Sequence, residues 1–242
     1  MTGKTFDQSE FDIRCEWGEH GVSLLSPISD VVIIVDVLSF STCVDVATSR
    51  SAVIFPYGNR DESARTFALS IQAELANPRS WHGYSLSPQS MMHIPEGTRL
   101  VVCSPNGARL SLATGNTVTL CGCLRNASAV ARTAQQLGRK IAVIPAGEKW
   151  EDGSLRPSFE DLVGAGAILT HLKGSQSPET LIAIAAYQHV QSSLLASMMQ
   201  SVSGKELIEL GFEEDIKLAS ELNISSCSPI LVDGAYRKFP TN

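Results

Sequence analysis

The sequence predicts an α/β fold built on a mostly parallel sheet with helices on both faces. Two observations carry the prediction. Short apolar runs of strand length recur from residue 31 to residue 146, and segments with helical apolar spacing stand between them. The runs "VVIIVDV", "AVIFPY", "RLVVCS", "TVTLC" and "KIAVIPA" are rich in β-branched residues and lack polar alternation, as strands buried on both faces do. An earlier stretch, "FDIRCEW", is short enough to add an edge strand. Helical spacing is read over Arg60 to Leu75, Asn126 to Leu137 and Phe159 to Leu172. From Pro178 onward helix follows helix. A long amphipathic helix is predicted over Glu179 to Met199, then "GKELIELG" with Gly211 as its C-cap, then "FEEDIKLASEL". "PILVDG" is predicted to return to the sheet.

No low-complexity linker and no repeat divides the chain. It reads as one domain over residues 1–242, with the helical part from Pro178 packed on the sheet. The net charge of -6 argues against a nucleic-acid partner, which selects a basic face. It does not argue against a small anion, which a few local cations and helix N-termini can hold. The polar, acidic N-terminus has no signal-peptide core, and no apolar run is long enough to span a bilayer, so a cytoplasmic protein without a membrane partner is expected. Six cysteines are scattered, several inside apolar runs; they are expected to be reduced and buried. The pair Cys121 and Cys123 has no second pair and no histidine beside it, which speaks against zinc.

In a sheet of this kind ligands collect beyond the carboxyl ends of the strands. There the first long run reaches Asp36 and passes into Ser39, Ser41 and Thr42. An acid beside a helix N-terminus fits a phosphate-plus-metal site; a turn cap at Asp36 with Ser41 or Thr42 as N-cap fits equally. Three further strand ends carry chemistry. Ser104, Asn106 and Gly107 follow the third run, Arg125 and Asn126 the fourth, and Glu160 and Asp161 open the helix after the fifth. Asn-Gly is an ordinary turn, and acids in a first helical turn are ordinary dipole chemistry; the convergence of four such ends is not. The oxygen-rich set suits Mg2+. No G-x-S-x-G, P-loop or H-E-x-x-H spacing offers another chemistry.

The pieces "VVIIVDVLSFSTCVDVA", "YSLSPQS", "SPNGARLS", "GCLRNASAVA", "IPAGEKWEDGSLRPSFEDLVGAGAI", "GKELIELGFEEDIKLASEL" and "PILVDGAY" stand in order from Val31 to Tyr236. In this series the sequence resembles the 2-phosphosulfolactate phosphatase family of the ComB type. The resemblance implies a three-layer α/β/α sandwich and Mg2+-dependent hydrolysis of 2-phosphosulfolactate to sulfolactate and phosphate, a step of coenzyme M biosynthesis. Where the family has an arginine after its D-V-L, this sequence has Ser39. The family's basic loop is reduced to "AELANPRSWHGYSLSP", in which Arg79 keeps part of the role and Ser87 and Pro88 match the family's serine and proline.

On this reading Asp36, Glu160 and Asp161 are the expected direct or water-mediated Mg2+ ligands, and Asp36, Glu160 and Asn106 the expected catalytic residues. Ser41, Thr42, Asn106 and Gly107 would cradle phosphate, with Ser39, Ser87, Ser104 and Asn126 beside them. Arg79 and Arg125 would meet the acid end of a small anionic phosphoester. Glu148 or Glu160 is a candidate base, and Asp36 as covalent nucleophile stays open. So do a diverged substrate, a binding protein for an anionic metabolite that catalyses nothing, a structural or interaction protein with the helix from Glu179 to Met199 as its interface, and a homodimer.

Overall fold

The computed structural model describes residues 6–79 and 82–240; residues 80 and 81 of the loop before Ser87 and the first five residues of the polar N-terminus lie outside that description. The strands in chain order are β1 (Ile13–Cys15), β2 (Val31–Val35), β3 (Val53–Tyr57), β4 (Glu74–Leu75), β5 (Arg99–Cys103), β6 (Val118–Gly122), β7 (Ile141–Pro145), β8 (Glu148–Lys149), β9 (Leu155–Arg156), β10 (Pro229–Val232) and β11 (Ala235–Lys238). Nine of them form one sheet in the order β1-β7-β2-β6-β10-β11-β3-β5-β4, while β8 and β9 make a separate hairpin. All five predicted runs are strands of this sheet. "FDIRCEW" supplies the parallel edge strand β1, and "PILVDG" supplies β10.

The sheet is mostly parallel, as predicted, but its two parallel blocks run in opposite senses. β1, β7, β2 and β6 pair parallel, as do β3, β5 and β4. Between the blocks stand three antiparallel pairings, β6 with β10, β10 with β11, and β11 with β3. An odd number of reversals turns the second block over. Five steps separate β2 from β5, and a twist of about 20–25° at each accumulates to roughly 100°. Helix α2 (Phe40–Ser49) fills the resulting hollow, touching β3, β6, β10 and β11.

Helices cover both faces. Val31, Ile33 and Val35 of β2 turn to a core shared with α5 (Ala127–Leu137) and α6 (Phe159–Leu169). The alternate residues Val32 and Ile34 meet α1 (Gly18–Leu25) and Leu110 of α4 (Gly107–Ala113). Removing one such side chain, Ile33→Ala for example, costs about 2–5 kcal/mol. On the second block, Phe55 and Val101 pack under α3 (Glu62–Ser70), and Ile54 and Val102 under α2. The helix predicted from Arg60 to Leu75 ends at Ser70, and its last residues become the edge strand β4. The single helix predicted from Glu179 is two, α7 (Pro178–Val190) and α8 (Leu194–Gln200), parted by a 3-10 turn at Gln191–Ser193. Polar Gln191, Ser192 and Ser193 make that turn, and none of them is buried. α9 (Val202–Glu209) and α10 (Glu213–Ala219) follow, with Gly211 at φ +84 between them. Among the described residues no helix is long and apolar enough to cross a membrane. All six cysteines are free, and five are buried.

Candidate active site

β2 runs out at Val35, and the next residue is Asp36, 5% exposed. The backbone there is fastened locally. Asp36 N–H donates to Ser41 Oγ at 2.8 Å, and Ser41 N–H returns to the Asp36 carbonyl at 2.7 Å. Thr42 Oγ1 donates to the Val37 carbonyl at 2.7 Å. Ser41 and Thr42 therefore spend their hydroxyls on shaping the turn from within the first turn of α2, not on the expected phosphate cradle; the N-cap position belongs to Ser39, so neither is the N-cap the sequence offered.

The Asp36 carboxylate is reached from the other block of the sheet. Its Oδ2 accepts from Gly107 N–H at 2.8 Å and from Ser104 Oγ at 3.1 Å. A Cβ on Gly107 would fall 2.6 Å from Asp36 Oδ2 and 2.6 Å from the Phe40 ring, so only glycine lets α4 start this close. The Gly107 amide is given to Asp36, which removes it too from the expected phosphate cradle.

The adjacent acids of α6 divide the work. Asp161 Oδ1 accepts from Val37 N–H at 2.7 Å, and its Oδ2 from Gly147 N–H at 2.9 Å and Ser158 Oγ at 2.8 Å. It clamps the end of β2 to the turn after β7 and is occupied as a structural acceptor, not as an open metal ligand. Glu160 lies about 100° around the helix from it. This carboxylate is 2% exposed and receives no hydrogen bond among the described residues. Glu148, at the start of the β8–β9 hairpin, accepts from Asn106 Nδ2 at 2.8 Å through Oε2.

The acids sense one another. Burial raises Asp36 above the usual carboxylate range, and the charge of Glu160 adds to the rise. Asp161 stands well above that range, through burial and then the charges of Asp36 and Glu160. Glu148 is pushed up to about 7 by burial, and the charges of Asp36 and Glu160 push the same way. Like charges gathered in a poorly hydrated place are repulsive until a cation joins them. No three His, Cys, Asp or Glu side chains are arranged to hold a metal ion by themselves among the described residues. Mg2+ binds through one or two carboxylates and keeps its waters, so Asp36 and Glu160, both hard oxygen donors, fit it. Asp161 fits only at one remove, through the loop it holds.

The expected cations are elsewhere engaged. Arg125 donates from Nε to Asp45 Oδ2 at 3.0 Å, and its Nη1 pairs with Glu221. Asn126 accepts from Cys123 N–H at 2.9 Å and donates to the Cys121 carbonyl at 3.3 Å. Both hold the end of β6 to α2 and to the C-terminal segment, and neither is open to a substrate. Arg79 is nearer the acids. Its Nη2 donates to Ser39 Oγ at 3.0 Å, its Nη1 pairs with Asp215, and its guanidinium lies 5.1 Å from the Phe212 ring centroid. Asp215 also accepts from Ser87 Oγ at 2.6 Å. Ser39, Arg79 and Ser87 thus meet as one network on an acid of α10. Sequence reasoning passed over Asp215 because it stands among the acids of an ordinary helix start, "FEED". Asp45 lies mid-helix, with no sequence neighbour to betray its partner.

A cleft of about 530 Å³ opens beside Glu148, between α1, the start of α4 and the β8–β9 hairpin; Glu19, His20, Asn106, Glu148, Lys149 and Leu155 are on its walls. A cavity of about 600 Å³ between α5 and the C-terminal segment, walled by Arg132, Thr133 and Ser228, holds none of these carboxylates, so chemistry favours the smaller cleft.

Fold and site define an α/β protein with an acid-lined strand-end cleft sized for a small metabolite. A family model described as 2-phosphosulpholactate phosphatase matches residues 22–234. A probable 2-phosphosulfolactate phosphatase of Thermosynechococcus vestitus is 29% identical over 219 residues, covering 83% of this chain and 88% of the relative. The 2-phosphosulfolactate phosphatase of Methanothermobacter thermautotrophicus is 26% identical over 207 residues, covering 85% and 88%. A probable 2-phosphosulfolactate phosphatase of Nostoc sp. is 30% identical over 222 residues, covering 84% and 89%. The chain belongs to the 2-phosphosulpholactate phosphatase family and is an enzyme, a phosphoric monoester hydrolase.

Proposed function

We propose that the protein hydrolyses 2-phosphosulfolactate to sulfolactate and phosphate with Mg2+ as cofactor. The observation that carries the cofactor is Glu160, a buried carboxylate without a hydrogen-bond donor among the described residues, set against Asp36 and Glu148. Asp36 and Glu160 would hold the ion. When bound, it would offset their charge and that of the transferring phosphoryl group. Asp36 has a second task, because its hydrogen bonds to Gly107 and Ser104 join the two blocks of the sheet at the site.

Glu148 moves the proton. Asn106 occupies its Oε2, which leaves Oε1 to take a proton from the attacking water, and a group near 7 does so readily at neutral pH. The water oxygen bonds to phosphorus, the bond from phosphorus to the C2 oxygen breaks, that oxygen takes a proton from solvent to become the hydroxyl of sulfolactate, and Glu148 returns its own proton to solvent. Arg79, paired with Asp215, donates to Ser39 Oγ and fixes that hydroxyl at the start of α2.

The test is phosphate release from 2-phosphosulfolactate by the chelated protein, before and after Mg2+ is restored. Activity should vanish with the chelator and return with the ion. Full activity in excess chelator removes the metal from this reading, and no release under either condition removes the substrate.

A further inference from the structure

Most cations bordering the cleft and its acids are already neutralised. Arg79 is paired with Asp215, and Arg109 and Lys149 both lean on Glu19, at 3.3 and 3.7 Å. Arg156 differs. It is half-buried, yet no carboxylate of the described residues lies within ion-pair distance of it. Its contacts are neutral and loose. Nη2 donates to Ser203 Oγ at 3.5 Å, the outer limit of a hydrogen bond, and the guanidinium stands 5.7 Å from the Trp150 ring centroid.

Its place is fixed by the hairpin. Glu148 and Arg156 are paired across β8 and β9, so the two side chains leave the same face about 5 Å apart. The charge of Arg156 is felt at Glu148, whose other neighbours are Asn106 and Asp36. A guanidinium partly withdrawn from water, hydrogen-bonded only to a neutral hydroxyl and acting on Glu148 without an ion pair, keeps its fork open. An incoming anion would meet its planar fork with two parallel hydrogen bonds.

We propose that Arg156 is a specificity-determining residue, which receives an acid group carried by the substrate alongside its phosphate ester. The inference rests on the phosphoester reading above and adds to it the end of the substrate that the hairpin grips. Arg156 carries this role because Arg125, which the sequence suggested for it, is spent on Asp45 and Glu221.

The experiment compares the wild-type chain with Arg156→Gln and Arg156→Lys in Mg2+. Turnover is read on 2-phosphosulfolactate and on phenyl phosphate, which has no second acid group, and the affinity for sulfolactate is read by calorimetry. Arg156→Gln should raise KM for 2-phosphosulfolactate about 10- to 100-fold with kcat within about threefold, and leave KM for phenyl phosphate unchanged. Arg156→Lys should recover part of the loss, because it keeps the charge and gives up the fork. Unchanged KM, or an equal rise on both substrates, overturns the inference. If the wild-type chain releases no phosphate at all, the functional reading falls and the sulfolactate titration decides alone. Weaker binding in Arg156→Gln then upholds the role of Arg156; equal affinity, or no binding by the wild-type chain, overturns it. Should Arg156→Gln fail to fold, Arg156→Lys carries the same comparisons with an expected change of about 3- to 10-fold.

Discussion

Asp36 and Asp45 lie on one stretch of chain, nine residues apart, and both are buried. Asp45 faces Arg125 at 3.0 Å and receives Ser225 Oγ at 2.6 Å. Asp36 faces Glu160 and has backbone and hydroxyl donors but no cation. Burial raises both acids, and only at Asp45 does an arginine pull the other way. The difference lies in who supplies the countercharge. At Asp45 the fold does so, and the acid is part of the architecture. At Asp36 the fold supplies more acid, which is a reason to look for a ligand.

The largest effect that could break this contrast comes from deleting an acid on each side. Glu160→Gln should lower Mg2+-dependent phosphate release by about 1,000-fold or more. Its resistance to urea in metal-free buffer should hold or rise, because a like charge is gone. Asp45→Ala should do the reverse, costing about 3–5 kcal/mol by leaving the buried Nε of Arg125 and the Ser225 hydroxyl without their acceptor, with turnover per folded molecule kept. An unstable Glu160→Gln, or a stable and inactive Asp45→Ala, would exchange the roles assigned to the two regions.

A smaller effect concerns pH. Asp36, Asp161 and Glu148 titrate higher in the folded chain than in the unfolded one, where carboxylates titrate near about 4. Above about pH 4 the folded protein therefore binds more protons than the unfolded chain, and stability falls as pH rises. Urea unfolding of metal-free protein should show a loss of about 1–3 kcal/mol between pH 5 and pH 8. Mg2+ should flatten that slope. Asp45 and Asp215 are raised as well, but no metal answers them, so a slope indifferent to Mg2+ would assign the effect to the wrong region.

Next comes Glu148. With Glu148 as base, kcat/KM should rise with pH through an inflection at or below about 7, because a bound cation would draw the group down from its metal-free position. Glu148→Gln should lose the inflection along with about 100-fold in rate. The smallest effect is chemical. Burial pushes the thiols of Cys43 and Cys121 well above their usual range and that of Cys227 up to about 11. Native protein should react slowly with a disulfide reagent and unfolded protein should release six thiols; an intramolecular disulfide in the native protein would contradict this.

Much of the fold was legible because a strand buried on both faces needs an unbroken apolar run, and five such runs are plain. Their direction was not legible. A run of valines reads the same whichever way it points, so the reversal of the second block could not be foreseen. Asp36 was legible because an acid ended an apolar strand. Glu160 and Asp161 were legible as a pair but not apart, since their division depends on which one the helix turns toward Val37 and Gly147. Arg125 misled because its partners are 80 and 96 residues away. Glu148 stands just beyond a strand end, as Asp36 does, which is what made it legible as a candidate base.

The hairpin of β10 and β11 is the last pair of strands in chain order, yet it lies in the middle of the sheet and supplies the strand pairing between the two parallel blocks. On a ribosome, the strands that carry Asp36 and those that carry Gly107 would emerge long before the piece that seats them side by side. The nascent protein would then hold two half-sheets with open edges until residue 238 is free of the exit tunnel, and the Asp36 carboxylate would meet Gly107 and Ser104 only at the close of synthesis. A stalled chain ending at Ser228 should be digested by protease between the half-sheets, whereas one extended past Lys238 by a tunnel-length linker should resist.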